Sequence, residues 1–263
     1  MSGLPVKMCE EIPQLLCKVY GDLLSPSLKK VGLALGTVFD YGYTTLLPLK
    51  LKSEKAKLNF KYSLIEYQKK LESMPEDQII DVPPELGLPI LDKFTHVTNE
   101  DIRAMYVKLL TSASVQSTMS LAHPSALRII ESLSPDEAKI LNHIKAETNY
   151  PFITIQHKLG AKRGYRTIDK YLMGIEKDLY LSFPENIPLY IDNLLACGLY
   201  HYTPSLYLTD VGIYKKLEEA YSDLIERRRS TLIISGSESQ VFIKHEMISK
   251  SKLGDRFIKS CCE

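Results

Sequence analysis

Apolar residues recur three and four positions apart through most of the chain, as in helices that bury one face. Ile12, Leu16, Val19, Tyr20 and Leu23 predict a first helix, broken at Ser25-Pro26. From Leu28 to Leu46 a helical projection puts Leu28, Val31, Leu35, Val38, Phe39, Gly42 and Leu46 on one side. Lys30, Thr37, Asp40, Tyr41 and Thr44 fall opposite, and Pro48 closes the stretch. Lys50 to Lys70 reads as a third helix, with Leu58, Tyr62 and Ile65 beside Phe60, Leu64, Tyr67 and Leu71. The four prolines between Pro75 and Pro89 predict an extended strap in place of a helix.

Beyond the strap, Ile102, Met105, Tyr106, Leu109, Leu110 and Ala113 define a strongly amphipathic helix that Thr98 and Asp101 would open as a capping box. Ser134-Pro135-Asp136-Glu137 is a second start signal, with an N-cap serine and proline at the first helical position. From Tyr150 the texture changes. "YPFITIQ" predicts a short strand, and the segment from Pro184 predicts a helix ending at Gly198. "LTDVGIYKKLEEAYSDLIERRR" predicts one amphipathic helix. The arms flanking Ser235-Gly236-Ser237-Glu238 predict a β-hairpin, and "KLGDRFIKSCCE" a closing helix. The fold class is therefore mainly α: an N-terminal helical bundle, then a winged-helix-like α+β unit with a short β-hairpin. The expected divisions are a helical region over 1–74, a Pro-rich strap over 75–97 and a helical, winged-helix-like domain over 98–263.

Composition narrows the function classes. The 263 residues carry a net charge of +1, so the chain as a whole does not attract polyanions and any such binding needs a local patch. The five cysteines, Cys9, Cys17, Cys197, Cys261 and Cys262, form no CxxC pair, and Lys7, Glu10 and Glu11 interrupt any secretory core. Reduced thiols in a cytoplasmic protein are expected, with no metal and no cofactor.

Several stretches are similar to one family. "IIDVPPELGLPILDKFTHVTNEDIRAMYVKLLTSAS", "HPSALRIIESLSPDEAKIL", "LLACGLY" and "SKLGDRFIKSCC" resemble the abortive-infection alpha (Abi-alpha) family, bacterial proteins classed with defence against bacteriophage. The resemblance runs from about Leu23 to Cys262, and "HPS" followed by "LSPDEA" is its most specific part. The closing helix departs from the family pattern in lacking the threonine before its glycine. The resemblance implies host shutdown or death during infection and supplies no reaction.

The candidate chemistry is correspondingly thin. His123-Pro124-Ser125 pairs a base with a hydroxyl, but adjacency gives poor geometry, and Ser125 reads as a helix cap. Glu100/Asp101 and Asp136/Glu137 sit in first helical turns, where carboxylates stabilise the dipole. Cys261-Cys262 lacks a basic neighbour closer than Lys259 to activate a thiol. No enzyme is expected.

Two surfaces are candidates for binding. Gly32 and Gly36 have the spacing of close helix approach, and with Val31, Leu35, Phe39 and Leu46 they form a helix-packing or membrane face. Lys50, Lys52, Lys55 and Lys57, a second group of Lys162, Arg163 and Arg166, and the run Arg227, Arg228 and Arg229 are candidate phosphate or lipid contacts. Lys158, Lys170, Lys244, Lys250 and Lys252 extend the basic set. The expected function is a non-enzymatic defence effector or sensor acting through protein contacts. Its partner would be an unknown protein or a second copy, with peripheral contact to an anionic inner-membrane surface as a variant. The alternative is a winged-helix DNA-binding regulator. Its recognition helix would offer Asn186 and Asn193 but no arginine or lysine, with Glu185 and Asp192 repelling the backbone.

Overall fold

Val31, Leu35 and Val38, aligned on one side of the early apolar stretch, are buried together with Ala34 in helix α1 (Ser27–Tyr43). A computed structural model describes residues 27–43, 53–158, 164–234 and 240–263 of the chain. The expected first helix, Leu46, Lys50, Lys52, Lys162 and Arg163 lie outside the described residues. The chain divides into two compact units, 1–133 with 256–263, and 134–255.

In the first unit α1 packs against α2 (Glu54–Glu72) and α3 (Pro84–Phe94). The Lys30 ammonium on α1 donates to the carbonyls of Leu71 (3.2 Å), Glu72 (2.9 Å) and Met74 (2.5 Å), placing a cation on the negative end of α2. Helix α3 corrects the extended strap. Pro84 occupies its first turn, where no N–H is needed, and Pro89 lies inside it. Pro89 and Glu85, whose carbonyl loses its partner there, are both exposed, so water can satisfy that carbonyl. Leu86, Ile90, Leu91 and Phe94 face inward.

Among the described residues, close approach between helices is seen at Gly87. A Cβ added at Gly32 or Gly36 would meet nothing within 4 Å among the described residues. One added at Gly87 of α3 would stand 2.4 Å from a methyl carbon of Val38. Val38 is buried and stiff about χ1, so it cannot swing aside. Gly87→Ala is therefore expected to destabilise by about 1–2 kcal/mol, overpacking outweighing the gain in helix propensity. Gly32→Ala should be neutral or stabilising by up to about 1 kcal/mol. Urea unfolding of the two variants checks the order.

Helices α4 (Glu100–Ala113) and α5 (Ser125–Ser132) belong to the same unit, with the end of α10 (Lys252–Cys261). The N-cap of α4 is Asn99, not Thr98, and its side chain accepts the Ile102 N–H at 3.0 Å. Lys108 donates to the Cys262 carbonyl at 2.6 Å and Ser112 to that of Ser260 at 3.0 Å. Cys261 and Cys262 are buried, and burial raises the Cys261 thiol far above its ordinary value, the opposite of an activated nucleophile.

The second unit carries a four-stranded antiparallel sheet in the order β2-β1-β4-β3: β1 (Asn149–Lys158), β2 (Tyr165–Leu172), β3 (Tyr200–Tyr202) and β4 (Val241–Lys250). This replaces the expected wing hairpin. The stretch before residue 235 is helical, and β4 pairs with β1 and β3 instead. The single helix expected after Leu208 is two, α8 (Val211–Ala220) and α9 (Ser222–Ile234). They cover one sheet face, where Ile153, Ile155, Tyr214 and Ile225 form a core with Leu172, Leu217 and Ile243.

Strand β2 is irregular in a consequential way. Its register against β1 shifts twice, so that Gln156 pairs with Thr167, Ile155 with Asp169 and Ile153 with Leu172. Extra residues therefore stand opposite Ile155 and Thr154. Tyr171 takes the left-handed conformation at φ 59°, and the adjacent Lys170 and Tyr171 reach the same group of aromatic side chains.

Candidate functional site

Helix α6 (Pro135–Ile144) begins with the predicted capping box. The Ser134 hydroxyl accepts the Glu137 N–H at 3.3 Å, and Glu137 accepts the Ser134 N–H at 2.5 Å. Asp136 does more than face the helix dipole. Its carboxylate, 3% exposed, accepts the backbone N–H groups of Ser182 (2.9 Å) and Phe183 (3.0 Å) and the Tyr190 hydroxyl (3.2 Å). Burial would raise its pKa, but these donors and Lys139 outweigh burial and hold the carboxyl below its ordinary value. Lys139 also donates to the Tyr180 carbonyl at 3.0 Å, with its ammonium 5.9 Å from the centre of the Tyr180 ring.

A buried anion and a lysine thus fix the backbone of the turn before helix α7 (Ile187–Ala196). The side chains that this segment presents are large and apolar. Tyr180 is 91% exposed, Phe183 57% and Leu189 64%. Three large apolar side chains thus face water on a polar framework.

Helix α7 is itself tied down. Asn193 donates to Glu137 at 2.7 Å, and Asp192 accepts the Tyr171 hydroxyl at 2.9 Å. Gly198, at φ 73°, ends the helix as expected, with Gly198 N–H bonded to the Leu195 carbonyl and Leu199 N–H to that of Leu194.

On the sheet face beside α7, Glu246 is 2% exposed and accepts from Thr154 (2.6 Å), Tyr202 and Lys244. Burial would raise its carboxyl, but the Lys244, Thr154 and Tyr202 donors lower it below the ordinary value. Lys170 lies 4.3 Å from the Tyr171 ring centre and 4.7 Å from that of Tyr202, a cation between two aromatic faces. Each of these polar groups has a partner within the network, which favours a structural role for its inner half.

The other predicted site residues are dispersed. Gly32 is exposed, Phe39 is half-buried, and Val31 and Leu35 are core. Lys55 is exposed, and Lys57 pairs with Glu54 at 2.5 Å. Arg228 forms a bidentate pair with Asp169, both contacts 2.8 Å, while Arg229 lies 3.6 Å from Glu226 and Arg227 donates to the Asp223 carbonyl. Arg166 is exposed. His123 and Ser125 are joined through Nδ1 and Oγ at 2.7 Å on the surface, and Nδ1 also accepts the Ser125 N–H at 3.1 Å. The imidazole thus bonds the start of α5, the role expected of Ser125. The exposed turn at Tyr180 was missed, because single apolar residues in a loop carry no periodicity.

The family model for abortive infection alpha matches residues 55–261, from the second residue of α2 to the end of α10, taking in the capping box, the α7 ending and the closing helix. The chain belongs to the abortive infection alpha family. That family carries a phage-defence role of the abortive-infection type. No curated protein and no solved structure matches the chain. The stretches that carry the family resemblance fall largely on framework: His123 at the start of α5, Ser134, Asp136 and Glu137 at the start of α6, Gly198 after α7, and Gly254 in α10.

Proposed function

We propose that the protein is a non-enzymatic effector or sensor of abortive infection that acts through a protein contact centred on Tyr180, Phe183 and Leu189. The observation that carries this reading is the exposure of those three side chains, with the backbone at Ser182 and Phe183 pinned by the buried Asp136 and that at Tyr180 held by Lys139. Rigid aromatic anchors give up little conformational entropy on binding, so they contribute disproportionately at interfaces.

The membrane variant draws less support. The apolar face of α1 is already covered in the first unit, and no described helix is long and apolar enough to cross a membrane. Reading of duplex DNA by α7 also draws less support, since Asn193 and Asp192 are engaged within the unit.

The test is the efficiency of plating on cells carrying Tyr180→Ser with Leu189→Ser at matched protein levels. Loss of two anchors is expected to weaken the contact by about 30-fold or more and to remove protection. Full protection by a normally folded double variant contradicts the reading.

A further inference from the structure

Helix α2 buries Phe60, Leu64, Tyr67 and Leu71 on one side and presents a different stripe on the other. Lys55, Leu58, Tyr62, Ile65 and Lys69 follow at i, i+3, i+7, i+10 and i+14, one helical face about 21 Å long. Leu58 is 49% exposed and Tyr62 51%, and the exposed Lys55 and Lys69 stand at the two ends. The helix carries five lysines against three glutamates. Glu54 is paired with Lys57, Glu66 with Arg103, and Glu72 accepts from Gln68 at 3.2 Å, so the charge that frames the stripe is positive.

The Tyr180, Phe183 and Leu189 surface has the opposite rim. From Glu176 to Asp192 the chain carries Glu176, Asp178, Glu185 and Asp192 against Lys177 alone. Lys177 donates to the Ala220 carbonyl at 3.0 Å, and Lys139 is engaged by Asp136 and the Tyr180 carbonyl. Asp178, Glu185 and Asp192 are exposed. Asp178 stands 3.9 Å from His143, and Asp192 accepts a neutral donor, the Tyr171 hydroxyl. This rim is negative in a chain whose net charge is +1.

Building on the protein-contact reading above, we infer that the partner at Tyr180, Phe183 and Leu189 is a second copy of this chain. Its α2 sets Leu58 and Tyr62 against those side chains, and Lys55 and Lys69 against Asp178, Glu185 and Asp192. Charge selects this pairing. Either surface set against its own copy brings like charges together, whereas the two set against each other bring lysines to carboxylates around an apolar centre. The contact is therefore heterologous. Each copy gives one surface and receives the other, so assembly closes into a ring or continues as an open chain of copies.

The test is sedimentation velocity of the full chain from about 1 to 100 μM in about 0.1 M salt. A mass above that of one chain is expected, rising with concentration and falling as salt is raised to about 0.5 M. Leu58→Ser with Tyr62→Ser, and separately Tyr180→Ser with Leu189→Ser, should each weaken association about 30-fold or more with unchanged circular dichroism. Mixed together, these two double variants should form a one-to-one dimer and nothing larger, because each keeps the surface that the other has lost. Lys55→Glu with Lys69→Glu should also weaken assembly, and mixing that protein with Asp178→Lys, Glu185→Lys should restore it. Wild type that stays monomeric throughout, or a mixture of the two serine variants that stays monomeric, overturns the inference. A monomeric wild type whose phage protection is lost in Tyr180→Ser with Leu189→Ser and kept in Leu58→Ser with Tyr62→Ser removes the second copy and leaves the protein-contact reading standing. Protection kept in Tyr180→Ser with Leu189→Ser defeats that reading itself.

Discussion

Gly254→Ala is expected to cost at least about 3 kcal/mol, a large part of the stability of an ordinary domain. A Cβ at this buried position would lie 1.9 Å from the carbonyl oxygen of Leu199 and 2.8 Å from its carbonyl carbon. Both are backbone atoms held from several directions. Leu199 N–H closes the end of α7, and its carbonyl accepts the Ser251 N–H at 3.0 Å. The Ser251 hydroxyl in turn accepts the Gly254 N–H at 2.8 Å and donates to the Gly198 carbonyl. Neither side can retreat without breaking the turn that ends α7. By comparison, Gly198→Ala strains one left-handed residue and should cost about 1 kcal/mol. Urea unfolding ranks the two, and a Gly254→Ala protein as stable as the Gly198→Ala protein would refute this packing.

Asp136→Ala is the second large effect, expected at about 3–5 kcal/mol. It removes the acceptor of two backbone N–H groups and the Tyr190 hydroxyl, leaving donors that the fold keeps from water. Asp136→Asn keeps an acceptor and should cost less. The sign with pH follows from the lowered carboxyl. The stabilisation is complete above the ordinary aspartate value and disappears as pH falls through the lower folded value. The gap between wild type and Asp136→Asn should therefore narrow below about pH 4. Glu246, also lowered, adds to acid sensitivity in both proteins and cancels from the difference. Thermal melts at neutral and acid pH measure it, and a gap that widens in acid would contradict the assignment.

Local signals were legible in the sequence and long-range ones were not. The Ser134–Glu137 capping box and the Gly198 ending are set by residues a few positions apart, and both form as expected. The second role of Asp136 depends on Ser182, 46 positions away, and nothing near Asp136 announces it. The close approach of Val38 to Gly87 depends likewise on two helices far apart in sequence, and neither stretch announces the other. Thr231 to Ile234 read as a strand because β-branched residues favour one, but they extend a helix whose Leu224 and Ile225 pack on the sheet. The register shifts in β2 have no glycine to mark them, since Tyr171 itself takes the left-handed conformation. The residues that identified the family are largely those that hold the framework, which is why they reveal kinship before they reveal action.

The most direct test of the central claim is phage yield per infected cell. Cells carrying the wild-type protein should die while releasing few phage, as abortive infection requires. Cells carrying folded Tyr180→Ser with Leu189→Ser should release the yield of unprotected cells, and Tyr207→Ser, at another exposed aromatic, should behave as wild type. A yield that stays low in the double variant at equal protein level would contradict the account.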